Sequence, residues 1–82
     1  MQSNFGKWLK ERLRENSLSQ SALAEALDVS PACITQYVTG ITCPGVSTLV
    51  RICDALEVED LTEPARCIYF DEARRMIRRL SA

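Results

Sequence analysis

The stretch from Leu18 to Pro44, with the sequence LSQSALAEALDVSPACITQYVTGITCP, most constrains the fold. Ser19 and Ser30 each precede a helical pattern, and a serine hydroxyl there can accept a hydrogen bond from a first-turn N–H that has no helical partner. Pro31 suits the first position of the second helix, because its missing N–H removes no helical hydrogen bond. The stretch therefore predicts two short helices joined by a tight turn.

The ends of the two helices follow from single residues. Asp28 and Val29 form the predicted turn, and aspartate tolerates the left-handed conformation that such a turn commonly needs, although glycine adopts it more cheaply. Gly40 is a natural end for the second helix. We therefore expect the helices over 20–27 and 31–39.

Apolar residues on the two helices recur every three or four positions, which places them on one face of each helix. Ala24 is small, and a small side chain lets two crossing helices approach closely. The expected inward set is Leu23, Ala24, Leu27 and Ile34, with Tyr37 or Val38. The outward set on the second helix is Pro31, Ala32, Cys33, Thr35, Gln36 and Thr39.

Two further helices flank this pair. The first, over 5–14, can be capped by Asn4 or Ser3, and its predicted core residues are Phe5, Trp8, Leu9 and Leu13. The fourth is expected over about 46–56 as a largely buried closing helix. Its predicted buried positions are Val46, Leu49, Val50, Ile52, Cys53 and Leu56.

A fifth helix begins at Thr62-Glu63-Pro64 and runs to about Leu80. Residues 67–70 would also suit a short strand, so a break at Asp71 is the alternative. If the helix continues, Arg75 can pair both with Asp71 and with Glu72. The expected architecture is all-α, a compact domain of four to five helices.

The composition limits the class of protein. Eighty-two residues make one domain with a modest core. No apolar run approaches the ~20 residues of a membrane span, and the first residues lack the apolar middle of a secretory signal. We therefore expect a cytoplasmic protein without a membrane partner. With no histidine and no plausible nucleophile–base set, an enzyme is not expected.

The cysteines form no Cys-x-x-Cys pair, and zinc sites usually present such closely spaced ligands. No metal or cofactor is therefore expected, and reduced thiols are the default without a secretory signal. One alternative is that Cys33 or Cys43 senses oxidation and switches binding. The four cysteines are Cys33, Cys43, Cys53 and Cys67.

The charge pattern is unusual for a chain that binds nucleic acid. The net charge is −1, and no lysine or arginine lies between Glu15 and Val50. Basic residues instead concentrate in the first helix and near the carboxyl end. The first cluster is Lys7, Lys10, Arg12 and Arg14, and the second is Arg66, Arg74, Arg75, Arg78 and Arg79.

The central stretch resembles the helix-turn-helix of phage repressor and Cro-type regulators, the lambda-repressor-like or XRE family. The resemblance covers about 5–58, and its spacing includes Gly40 with Pro44 four residues later. It implies a DNA-binding transcriptional regulator of phage or bacterial type, which represses by occupying a promoter. The other matching positions are Ser19, Gln20, Leu23, Ala24, Leu27, Val29, Ser30, Ile34 and 49–56.

The resemblance also implies a role for each position on the outward face. In this family the second helix lies in the major groove and the first crosses the phosphate backbone. Gln20 would contact phosphate and could brace Gln36, which is the best candidate to read adenine. The alternative is that Gln36 is an ordinary solvated helix residue. The implied DNA-binding set is Gln20, Ser21, Ser30, Pro31, Ala32, Cys33, Thr35, Gln36, Thr39 and Thr42.

Two departures from the family pattern affect the expected affinity. Relatives often carry Arg, Lys or Gln where this chain has Pro31 and Ala32, and basic residues where it has 41–43. Since neutralisation of phosphates supplies much of DNA affinity, we expect a shallow salt dependence and modest affinity per monomer. Hydroxyl groups and helix amino ends can bond phosphate without charge.

Residues 1–60 are expected to form the DNA-binding domain, and 61–82 a helical extension used in dimerisation. The apolar face of the fifth helix could pack on the domain's own core or form a two-fold dimer interface. We favour the dimer interface. Two recognition helices would then lie ~34 Å apart on a palindromic operator. The expected dimerisation residues are Tyr69, Ala73, Met76, Ile77 and Leu80.

A second hypothesis is a helix-turn-helix scaffold that binds a protein instead of DNA, such as an anti-regulator or an antitoxin-like partner. The motif's surface has no basic residues and is partly apolar, which suits a protein interface. The residues that favour this alternative are Pro31, Ala32, Cys33, Ile41 and Cys43.

Overall fold

The computed structural model describes residues 3–81, which form five α-helices and no strand. This architecture confirms the all-α prediction. The helices are α1 (Asn4–Glu15), α2 (Gln20–Leu27), α3 (Pro31–Thr39), α4 (Val46–Ala55) and α5 (Thr62–Ser81).

The amino ends of the first three helices are capped by serine, which confirms Ser19 and Ser30 and selects Ser3 over Asn4 for α1. The hydroxyl oxygen of Ser3 accepts a hydrogen bond from the Gly6 N–H. Ser19 accepts one from Ala22 in the same way. Each cap provides a partner for one N–H group of the first turn. The helix starts are therefore determined locally.

One hydrophobic core joins α1 to α4. Leu9, Leu23, Ile34 and Ile52 contribute one fully buried side chain from each helix. The predicted inward residues of α1 and α2 are all buried, and on α3 Val38 is buried while Tyr37 is half-buried. The periodicity of the sequence therefore identified most of the core.

The turn between α2 and α3 has the predicted conformation. Asp28 is left-handed, with φ 56° and ψ 46°, and the Val29 N–H donates to the Ala24 carbonyl at 2.9 Å. Ala24 is buried, in agreement with the prediction of a close helix crossing. Gly40 ends α3 with φ 83°, a conformation that glycine adopts at low cost.

α1 and α3 approach closely at Gly6. A Cβ atom at this position would lie 2.1 Å from the carbonyl oxygen of Val38, closer than any real contact allows. This carbonyl is a backbone atom near the end of α3, so it cannot move aside like a flexible side chain. Gly6 therefore determines how near the amino end of α1 lies to the carboxyl end of α3.

Two predictions about α4 and α5 are wrong. Val46 and Val50 were expected to be buried, but their exposed fractions are 84% and 41%. They lie on the solvent side of an apolar α4, whose core contacts come from Leu49, Ile52 and Cys53. The strand alternative at 67–70 also fails, because α5 is continuous through these residues.

α5 is attached to the domain through polar contacts that the sequence did not predict. The predicted pair of Asp71 with Arg75 does not form. Its two carboxylate oxygens instead accept hydrogen bonds from the backbone N–H groups of Asn4 and Phe5, at 3.0 and 2.9 Å. Arg75 donates to the Gly40 carbonyl and forms the predicted ion pair with Glu72 at 3.6 Å.

Candidate nucleic-acid interface

α3 presents one uncharged face to solvent and buries the other. Ile34 and Val38 anchor it in the core. On the opposite side Pro31, Ala32 and Gln36 are exposed. Of the remaining proposed DNA contacts, Cys33, Gln20 and Thr42 are half-buried, and the exposed ones are Ser21, Ser30, Thr35 and Thr39.

A side-chain hydrogen bond links α2 to the exposed face of α3. The Thr35 hydroxyl lies 3.1 Å from Gln20 Oε1 and 3.2 Å from the carbonyl oxygen of Pro31. Gln20 was expected to brace Gln36, but its Oε1 instead accepts a hydrogen bond from the hydroxyl of Thr35, the preceding residue of α3. Gln20 thus holds Thr35, and Gln36 remains available on the exposed face.

The carboxyl end of α3 is closed by its own backbone. The N–H groups of Ile41 and Thr42 both point to the Gln36 carbonyl, at 3.0 and 3.4 Å. The Thr39 hydroxyl donates back to the Thr35 carbonyl at 2.9 Å. These bonds order the start of the loop that leads to α4. The Gln36 side chain therefore projects from a helix whose end is well defined.

Neither α2 nor α3 carries a lysine or arginine. Arg51, the first cation after the motif, extends from α4 and donates to the Leu27 carbonyl at the end of α2. A cation there interacts favourably with the carboxyl end of a helix. Arg12 on α1 lies 2.8 Å from Glu15, in an ion pair that offsets its charge.

The sequence prediction missed the role of Arg51 and assigned Asp71 the wrong partner. Arg51 is the only basic residue between Arg14 and Arg66, and its isolation was a signal that could have suggested a specific role. No local signal marked the role of Asp71, because its hydrogen-bond partners lie 66 and 67 positions away in the sequence. Both groups hold helix ends in place, one at α2 and the other at α1.

The environment of Cys43 does not favour a reactive thiol. Burial raises the pKa of Cys43 from 9.0 to about 11, although Arg75 acts in the opposite direction. Because the thiolate is the reactive form, a raised pKa slows oxidation at neutral pH. Burial also raises the pKa of Tyr37 to about 12, with a further contribution from its hydrogen bond with Cys33. All four cysteines are free.

Comparison with known families decides the class of the protein. A helix-turn-helix family model matches residues 9–62, about two-thirds of the chain, and spans the whole α2–α3 unit. The chain belongs to the helix-turn-helix family. This lambda-repressor-like family consists of DNA-binding regulators and is not typically enzymatic. No curated protein and no solved structure matches the chain.

The helix-turn-helix protein keeps an apolar surface on α5 that its own core does not cover. Tyr69 and Leu80 have exposed fractions of 69% and 80%, and Met76 and Ile77 are also exposed. The alternative in which these side chains pack on the domain's own core is therefore wrong. Ala73 lies among them and is half-buried.

Within 3–81, no helix is long and apolar enough to cross a membrane.

Proposed function

We propose that the protein is a sequence-specific transcriptional repressor of phage or bacterial type, which binds a palindromic operator as a homodimer. The observation that carries this proposal is the exposed face of α3, opposite the buried Ile34 and Val38. The family match across the whole α2–α3 unit supports the same function.

α3 is proposed to enter the major groove, with its amino-terminal half towards the bases. The Gln36 amide can bond the N6 and N7 atoms of one adenine together, which typically discriminates against a wrong base by about 1–3 kcal/mol. The Ala32 methyl group suits a thymine methyl group. Pro31 and Thr35 complete the proposed base-facing set.

Phosphate contacts are proposed to depend more on neutral groups than on cations. Gln20, Ser21, Ser30, Cys33, Thr39 and Thr42 border the proposed base-facing set and are the candidates. Neutral groups release few counterions from DNA, so the affinity of one subunit should be modest. A second subunit is therefore proposed, through α5, to bring two copies of α3 onto half-sites ~34 Å apart.

Selection of bound duplexes from a random pool tests this function. The proposal expects the purified protein to recover an inverted repeat whose half-sites are one helical turn apart. Recovery of duplexes without a shared sequence, or of a single unrepeated site, would contradict it. Selection at two salt concentrations separates specific binding from attraction to phosphate alone.

The surface beside α3 supports a second candidate function, a scaffold that binds a protein partner. The exposed fractions of Ile41 and Val46 are 67% and 84%, which is high for large apolar side chains so close to a DNA-binding motif. Such exposure suits a protein interface. A pull-down at physiological salt discriminates, since this candidate expects a stoichiometric protein partner without retained DNA.

A further inference from the structure

The exposed apolar stripe of α5 has the spacing of a helix–helix contact. Tyr69, Ala73, Met76 and Leu80 are separated by four, three and four residues, which is the seam pattern of paired helices. Phe70 and Ile77 extend the stripe along one side and are both more than half exposed. We call these six residues the α5 stripe.

The α5 stripe lies away from the face that packs on the rest of the protein. Pro64 and Asp71 are buried, and Arg75 reaches the Gly40 carbonyl. On a helix of 3.6 residues per turn, these positions lie roughly opposite the seam. Residues 76–81 are all exposed. The helix can therefore accept another helix along the stripe without disturbing its own packing.

The two flanks of the stripe differ in chemistry. One flank carries the apolar Phe70 and Ile77. The other carries Glu72 and Arg79, seven residues apart and therefore on nearly the same side of the helix. Both are exposed, and Glu72 forms a long ion pair with Arg75 and a side-chain hydrogen bond with Cys43. A partner helix must therefore place apolar side chains against the first flank and complementary charges against the second.

We propose that α5 pairs with α5 of a second copy of this chain in the antiparallel orientation. A two-fold axis perpendicular to both helices brings each flank against the same flank of its partner. If the seam aligns Tyr69 with the partner's Leu80 and Ala73 with the partner's Met76, Phe70 faces the partner's Ile77. On the other flank, Glu72 then faces the partner's Arg79, and the symmetry repeats this ion pair.

A parallel pair would lose both matches. Opposite flanks would meet, so Glu72 and Arg79 would lie against the apolar side of the partner helix. Charge complementarity therefore selects a second copy of this chain, turned end for end, as the occupant of the stripe.

This inference rests on the proposed homodimer and specifies its geometry. It is tested by charge exchange in sedimentation equilibrium of the full-length protein. Glu72→Arg and Arg79→Glu each replace two attractive contacts in the dimer with repulsive ones. Each variant alone should dimerise about tenfold more weakly than the original chain. An equimolar mixture should recover dimerisation, because the heterodimer contains one exchanged and one original ion pair.

Arg78→Glu is the matched control, since it makes the same charge change one residue away, on the side opposite the seam. It should weaken the dimer less than Arg79→Glu does. The double variant Glu72→Arg/Arg79→Glu should dimerise like the original chain, and circular dichroism verifies that each variant keeps its helices.

The possible failures are distinguishable. If the original chain sediments as a monomer, both the proposed homodimer and this inference are contradicted. A dimeric original chain whose mixed variants stay as weak as the separate ones would remove only the antiparallel pairing. Equal effects of Arg78→Glu and Arg79→Glu would do the same. Loss of selected DNA binding alone would leave the pairing of α5 intact.

Discussion

The carboxylate of Asp71 accepts a hydrogen bond from the backbone N–H of Phe5 at 2.9 Å, across 66 positions of the chain. Phe5 lies in the first turn of α1, where N–H groups have no helical acceptor and a negative charge is favoured. One turn later on α5, Arg75 donates to Gly40 at the end of α3. α5 thus holds the amino end of one helix and the carboxyl end of another.

Asp71→Ala should destabilise the protein markedly. It leaves two first-turn N–H groups of α1 without their charged acceptor, and hydrogen bonds to charged groups contribute about 1.5–3 kcal/mol each. We expect the free energy of unfolding in urea to fall by about 2–3 kcal/mol. The exposed Glu25→Ala is the control and should change it by less than about 0.5 kcal/mol. Equal stability of the two variants would show that the Asp71 contacts are unimportant.

Gly6→Ala should destabilise the contact between α1 and α3. The added Cβ would meet the Val38 carbonyl oxygen, and overpacking of this kind typically costs about 1–3 kcal/mol or more. Thermal unfolding measures the loss. At Gly45 a Cβ meets nothing within 4 Å, so Gly45→Ala should shift the midpoint much less. The account of the close approach fails if the two variants melt together.

Stability should fall at alkaline pH partly because of Cys43. Its pKa is raised by burial to about 11 in the folded protein, from an ordinary value of 9.0. Between these values the unfolded chain releases the proton while the folded chain keeps it, so the free energy of unfolding decreases as pH rises. Cys43→Ser should make this decrease shallower in urea titrations from pH 8 to 11. The same pH dependence in both proteins would contradict the assignment.

DNA binding should depend weakly on salt. Each neutralised phosphate contributes about −0.9 to the slope of log K against log salt, and α2 and α3 supply no cation. We expect a slope shallower than about −4 for the dimer on its selected site. Fluorescence anisotropy at salt concentrations from roughly 50 to 200 mM measures this slope. A slope near −8 would indicate several lysine or arginine contacts that this account omits.

Most of the fold followed from local patterns in the sequence. The serines before α1, α2 and α3 and the glycine after α3 have local roles, because a cap bonds within its own first or last turn. Leu9, Leu23 and Ile34 were recognisable as core from periodicity alone. Such features depend on residues no more than four positions apart, so a short stretch of sequence is enough to predict them.

The remaining features depend on contacts that are distant in sequence. Asp71 was expected to bond within its own helix, because its partner near the amino end of α1 leaves no local pattern. Val46 and Val50 looked buried because apolar residues occur around much of α4, and only the packing decides which side faces the core. For the candidate site, the exposed face of α3 was predictable, whereas the partner of Gln20 was not.

The most direct test of the central claim compares the selected DNA sequences of the original protein and of Gln36→Ala. If α3 reads bases in two half-sites, the original protein should select an inverted repeat. Gln36→Ala should lose its preference at one A·T position in each half-site, worth about 1–3 kcal/mol, and keep the others. Identical profiles for the two proteins, or no inverted repeat for the original, would contradict the account.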